Sequence, residues 1–178
     1  QRISSEQLVF DHNGNKIVYN YKGDNRGKFS SIHYPESALN NDFHFNTKTI
    51  AYTIDNNLYL ATEKDSIIAI TTNIDKNIVS GQAIHRFEFG ISKGTFWSPS
   101  GNSLAFYQKD ETNVADYPLL DITTRTGSLK SIKYPMAGEA SEHGRVGIYN
   151  VKNNNTIYLK TGEPIDHYVS NVTWSPDE

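Results

Sequence analysis

A short aromatic-anchored unit recurs four times along the chain. Repetition of this kind constrains the fold more than any other feature, because a unit too small to bury its own apolar face must stack on its neighbours. The copies read LVFDHNGNKIVY at Leu8–Tyr19, FHFNTKTIAY at Phe43–Tyr52, TFWSPSGNSLAFY at Thr95–Tyr107 and VTWSPDE from Val172 onward. Each begins with alternating apolar residues and an aromatic anchor, read as Phe10, Phe45, Trp97 and Trp174. A polar turn follows, then a second alternating run such as Ile17-Val18-Tyr19 or Leu104-Ala105-Phe106. Alternation sends every second side chain to one face of a strand. Asn13-Gly14 and Ser100-Gly101 supply the positive φ that a tight turn demands, and Pro99 fixes φ where no ladder donor is required. Each unit therefore reads as a β-hairpin.

Further strands are expected at Asn57–Thr62, Ser66–Thr71, Gly147–Val151 and Thr156–Lys160, with polar turns such as Lys152–Asn155 between them. No stripe of helical period interrupts this pattern. Eleven tyrosines against one methionine, in a chain that is only 37% hydrophobic, also suit strands and turns better than packed helices. The copies lie roughly 35 to 80 residues apart, against ~40–50 for a common propeller blade. The widest gap, from Phe106 to Val172, has to hold an extra hairpin or a long insertion. The expected fold is thus all-β: a partial β-propeller of about three four-stranded blades from a larger ring, occupying the whole of residues 1–178. A β-sandwich of unrelated hairpins is the alternative on periodicity alone. The last copy stops before its second strand, which leads us to expect a fragment of a longer protein.

Charge and composition exclude several functions. A net charge of −3, with no run of like sign, offers no basic surface for nucleic acid. The absence of cysteine removes disulfides, thiolate zinc sites and a thiol nucleophile. No stretch approaches the ~20 apolar residues of a membrane span. Gln1-Arg2-Ile3-Ser4-Ser5 lacks an apolar signal core, so any signal peptide is expected to be gone already.

Leading into the third unit and including it is the stretch VSGQAIHRFEFGISKGTFWSPSGNSLAFY, Val79–Tyr107. It resembles the substrate-reading segment of bacterial dipeptidyl peptidase IV and prolyl tripeptidyl peptidase enzymes, which carry a similar G-Q-x-x-H-R-x-E-F-G-I run before a W-S-P-x-G blade signature. Tyr134-Pro135-Met136-Ala137-Gly138, Val146-Gly147-Ile148-Tyr149 and Thr161-Gly162-Glu163-Pro164 extend the resemblance through the latter half of the chain. The resemblance implies an irregular eight-bladed propeller capping an α/β-hydrolase domain, which this chain would not include. It further implies a serine exopeptidase that removes N-terminal di- or tripeptides after proline, secreted to the periplasm or cell surface. No catalytic residue, cofactor or metal is expected in this segment. The implied partners are peptides with a free N-terminus, the hydrolase domain of the same protein, and a second copy in a homodimer.

Mammalian relatives bind the substrate amino group with neighbouring glutamates; here the matching stretch offers one carboxylate, Glu88, flanked by Arg86, Phe87 and Phe89. An α-amino group is largely protonated at neutral pH, and a carboxylate is its natural partner. An acylated terminus would leave that carboxylate desolvated and unpaired, which gives selection against internal segments. The structural alternative is that Glu88 pairs with Arg86 at a strand end. His85, Arg86 and Phe87 are candidates for lining the pocket, although His85 serves equally well as a structural hydrogen-bonding group.

Other motifs carry less. Gly90-Ile91-Ser92-Lys93-Gly94 matches the G-x-S-x-G nucleophile elbow in letters, but an elbow needs a strand before the serine and a helix after it, and a strand follows here. The six histidines show no metal-binding spacing. Asp110-Glu111 reads as a solvated blade loop, and Tyr117, Tyr134 and Tyr149 as blade packing. Asn154-Asn155-Thr156 and Asn171-Val172-Thr173 are formal glycosylation sequons. Two competing functions stay open: a non-catalytic β-propeller that binds proteins, and a propeller attached to another enzyme such as an acylaminoacyl peptidase.

Overall fold

A computed structural model describes residues 6–64, 66–163 and 165–178. The N-terminal Gln1–Ser5 and Pro164 of the Thr161–Pro164 stretch, both used in the sequence reading, lie outside the described residues. Antiparallel strands dominate, as expected for an all-β chain.

The first sheet contains β1 (Gln7–His12), β2 (Asn15–Asn20) and β3 (Phe29–His33) in that order. His12 faces Asn15 across a two-residue turn, in which Asn13 and Gly14 take φ of 49° and 70°. These are the values that the expected tight hairpin requires. A four-stranded meander follows: β4 (Leu39–His44), β5 (Thr49–Ile54), β6 (Asn57–Thr62) and β7 (Ile67–Ala69). The third sheet is larger. It joins β8 (Ile78–Ser80), β9 (Thr95–Trp97), β10 (Ser103–Asp110), β13 (His143–Asn150) and β14 (Asn155–Tyr158). Between β10 and β13 the chain leaves the sheet to form a separate hairpin, β11 (Asp116–Asp121) with β12 (Ser128–Lys133). This is the insertion expected in the widest gap.

The sheets stack face to face, and the alternation of each central strand shows how. Thr49–Thr53 of β5 are all buried. Ile50 and Tyr52 pack with Ile32 and Tyr34 of the first layer, whereas Ala51 packs with Leu104 and Phe106 of β10. On β10 the pattern repeats: Leu104 and Phe106 face back towards β6, while Ala105 and Tyr107 face Ile84, Ile91 and Val146. Burial of a large apolar side chain is worth about 1.5–3 kcal/mol, so a strand used on both faces ties two layers together. Within the third sheet, Gly147 lies directly opposite Phe106 and makes room for its ring, since a Cβ there would lie 2.5 Å from it.

Register corrects two details of the sequence reading. Leu104 pairs with Trp97 and Ala105 with Phe96, just as Ile50 pairs with Phe43 and Ala51 with Asp42. The structural counterpart of Trp97 is thus Phe43 and not Phe45, a difference of two residues that residue type alone cannot reveal. The strand count also differs from an even series of four-stranded blades. Among the described residues only one sheet is a simple four-stranded meander, because β8 joins the far end of β10 and the β11–β12 hairpin is inserted; no ring closes, in keeping with the partial propeller expected.

Trp97 and Trp174 share a further contact. The Trp97 indole N–H donates to the Asp42 carbonyl at 3.1 Å, and the Trp174 indole N–H to the Phe96 carbonyl at 2.9 Å. Asp42 and Phe96 occupy the same register position in successive layers, opposite Ala51 and Ala105. Val172–Glu178 forms no strand among the described residues, yet Trp174 is already packed against the third layer.

Candidate functional site

The segment His85–Gly90 joins β8 to β9, and it is not a strand end. His85, Arg86, Phe87 and Phe89 have φ of 51°, 53°, 64° and 56°, and Glu88 alone is extended at φ −69° and ψ 168°. An L-residue held in the left-handed region costs roughly 1–2 kcal/mol. Four such residues in one short turn persist only if their surroundings over-determine them.

Two contacts from distant parts of the chain do so. Glu142, just before β13, accepts the main-chain N–H of His85 on Oε1. From the other side, the Val169 N–H donates to His85 Nε2 at 3.3 Å. Nε2 is thereby the acceptor, so the ring proton sits on Nδ1, 3.6 Å from Glu142 Oε1 and without a hydrogen-bond partner among the described residues. His85 is 1% exposed. Burial pushes its pKa below the ordinary 6.5; Arg86 and Lys109 act in the same direction, against the carboxylates of Glu142 and Glu88. Tyr168 closes over the assembly, with its ring edge-on to His85 at 4.8 Å and tilted against Phe89 at 4.9 Å. Behind His85, a Cβ on Gly144 would lie 3.0 Å from Ile84 and 3.4 Å from the imidazole.

The turn buries its first residue and displays the next ones. Arg86 is half-buried, its guanidinium 5.5 Å from the centre of the Tyr134 ring. Phe87 and Phe89 are 70% and 56% exposed, on either side of an exposed Glu88. Among the described residues no hydrogen bond or ion pair engages the Glu88 carboxylate. The pairing of Arg86 with Glu88 considered from sequence is therefore not formed, because Arg86 turns to an aromatic face instead. Beside Phe89 opens a cleft of about 240 Å³, lined in part by Ser92, Lys93, Phe96, Tyr107 and Asn171. The turn thus carries an exposed carboxylate with an exposed aromatic residue on either side of it in sequence.

Of the other sequence readings, those of Ser92 and Tyr149 stand and the rest change. His85 does not line an open pocket; its imidazole is an interior hydrogen-bonding group. Ser92 lies in the loop before β9, so neither the strand nor the helix of a nucleophile elbow flanks it. Glu111 is not a solvated loop residue, since it meets Lys109 Nζ at 2.6 Å with its side chain 13% exposed. Tyr149 is buried in the second core, but Tyr117 and Tyr134 are partly exposed and lean on each other at 5.8 Å outside it. No group of three or more potential metal-ligating side chains occurs among the described residues. The residues missed from sequence are Glu142, Tyr168 and Val169. No motif or period marks them, because their role is fixed only when the chain folds.

Stacked antiparallel sheets built from repeated hairpins, with a constrained acidic turn emerging between two strands, define a class of β-repeat domain that presents a side chain outward from a rigid frame. The family model for the dipeptidyl peptidase IV (DPP IV) N-terminal region matches residues 4–178, and the chain belongs to that family. Dipeptidyl aminopeptidase B of Saccharomyces cerevisiae is 30% identical over 141 residues, which is 72% of this chain and 17% of the yeast protein. A crystal structure bearing the name dipeptidyl aminopeptidase IV, from Bacteroides ovatus, superposes with a TM-score of 0.84 at 46% identity, covering 97% of this chain and 23% of that one. Porphyromonas gingivalis dipeptidyl peptidase 4 shares the fold, with a TM-score of 0.68 at 20% identity over 88% of this chain and 25% of the other. The chain thus spans less than a quarter of the length of the first relatives named. No helix among the described residues is long and apolar enough to cross a membrane.

Proposed function

We propose that this chain is the propeller portion of a serine exopeptidase acting on peptides with a free amino terminus, and that Glu88 binds that terminus. The stacked sheets serve as blades of a larger β-propeller that restricts access to a hydrolase domain elsewhere in the protein, at the periplasm or cell surface. The observation that carries this reading is the state of Glu88. It is a carboxylate in a turn of left-handed backbone, with no hydrogen-bond or ion-pair partner among the described residues and with the exposed Phe87 and Phe89 on either side in sequence. A protonated amino group satisfies such a carboxylate, and the Phe87 and Phe89 rings supply apolar surface and π-faces around the cation.

Hydrogen bonds to charged groups are worth about 1.5–3 kcal/mol net, or roughly 10- to 100-fold in binding. In the full-length protein, Glu88→Gln should lower kcat/KM for a chromogenic Xaa-Pro substrate by about that factor. The N-acylated form of the same substrate should be poor for both enzymes. An unchanged kcat/KM for the free-amine substrate removes Glu88 from this role. We further assign the exposed β11–β12 hairpin to self-association. Leu120 and Leu129 are directly opposed in its register and are 66% and 78% exposed, a pair of apolar side chains suited to a symmetric contact with a second copy.

A further inference from the structure

Glu142 is the most buried carboxylate in contact with the turn. Its side chain is 2% exposed. Oε1 accepts the His85 N–H and faces His85 Nδ1 at 3.6 Å, while Oε2 lies 3.7 Å from Lys109 Nζ. Lys109 is itself held by Glu111 at 2.6 Å. The sequence separation between Glu142 and His85 is 57 residues, so this contact ties the entry of β13 to the turn after β8. Val169 and Tyr168 grip the opposite side of the same imidazole.

We infer that Glu142 is a positioning residue for peptide binding: it fixes the left-handed turn at His85, and through the turn it sets where Glu88 points. The inference rests on the reading of Glu88 as the amino-terminus binder. The physical argument is local. His85 is the first residue of the turn with positive φ, and the chain runs on from it through Arg86 and Phe87, also with positive φ, to Glu88. Its N–H is buried, and a buried N–H without an acceptor is costly, so the conformation that meets Glu142 is favoured over relaxed alternatives. Removal of the acceptor frees the turn to relax towards ordinary backbone angles, which swings Glu88 away from its place. Lys109 balances the charge that makes Glu142 tolerable in the interior. Glu142 itself lies inside, so it acts on the peptide only through the turn.

The test uses the full-length protein with Glu142→Ala, Glu142→Gln and Glu88→Gln, measured on a free-amine Xaa-Pro substrate. Glu142→Ala should raise KM by about tenfold with kcat changed little, as expected for the loss of one charge-assisted contact at the binding step. Glu142→Gln retains a carbonyl oxygen for the His85 N–H and should recover most of the affinity. Amide hydrogen exchange should quicken in residues 85–90 of Glu142→Ala and remain unchanged in β5 and β10. If Glu142→Ala does not fold, Glu142→Asp, which retracts the carboxylate by one methylene, is read by the same split between KM and kcat. A fall in kcat in proportion to lost folded protein, with KM unchanged, overturns the inference. If Glu88→Gln raises KM and Glu142→Ala does not, the positioning role alone falls. If Glu88→Gln has no effect while exchange at 85–90 still depends on Glu142, it is the reading of Glu88 that fails.

Discussion

His85 links the interior of the protein to its exposed turn, and its protonation state is the most sensitive feature of the site. Burial, Arg86 and Lys109 depress its pKa, and Glu142 and Glu88 oppose them without reversing the direction. The unfolded chain therefore takes up the proton first as pH falls. Stability from a neutral His85 is fully present above the ordinary value of 6.5 and is lost progressively as pH drops from there towards the depressed value. Protonation would also place a hydrogen on Nε2, where the Val169 N–H already donates. Hydrogen exchange in residues 85–90, corrected for the intrinsic rate, should accelerate as pH falls below the ordinary value of 6.5 in the wild-type protein and far less in His85→Gln. Equal pH responses in both would show that another group controls the turn. At this scale the sequence was only half legible. The acidic residue stood out because an HRFEFG stretch resembles a known family. The left-handed backbone did not, since Arg86, Phe87 and Phe89 are residue types that ordinarily avoid positive φ. Their conformation is dictated by partners 57 and 84 residues from His85, Glu142 and Val169.

Among the elements, hairpins were read well because their signals are local. Asn13-Gly14 sets its own turn, and the alternation of β5 and β10 is visible in any window of six residues. The anchor misaligned by two residues, Phe45 in place of Phe43, marks where local reading ends: register depends on the partner strand. The hairpin β11–β12 was foreseen only as an extra hairpin or a long insertion with no strand bounds, since its strands bury little and thus carry a weak apolar pattern. The indole contact between successive layers gives a direct test of how elements are joined. Trp97→Phe preserves an aromatic ring beside His44 but deletes the donor to Asp42. The loss of one partly buried hydrogen bond should cost about 1 kcal/mol, a fall of roughly 2–4 °C in Tm for a chain of this size. A Tm within error of wild type would mean that packing alone holds the second and third sheets together.

For the whole molecule, the exposed hairpin and the stack make separate demands. If Leu120 and Leu129 mediate self-association, a Leu120→Lys/Leu129→Lys double variant of the full-length protein should sediment as a smaller species with its fold intact, since neither side chain belongs to a core. Sedimentation identical to wild type would remove the hairpin from that role. The stack behaves differently, because Trp97 and Trp174 each reach a main-chain oxygen of the preceding layer. Trp97 finds that oxygen on an aspartate and Trp174 on a phenylalanine. A peptide carbonyl is offered by every residue type, so the indole bond itself places no demand on the side chain at the receiving position. The indole bond therefore survives a change of side chain at Asp42 or Phe96, and what such a change removes is the Asp42 carboxylate's own contacts with Thr95 and Lys93, or the packing of Phe96 on Tyr107. For the indole bond, divergence between neighbouring repeats is then cheap, and a descendant can specialise one layer for a new task while the tryptophan of the next still finds its acceptor in the same place.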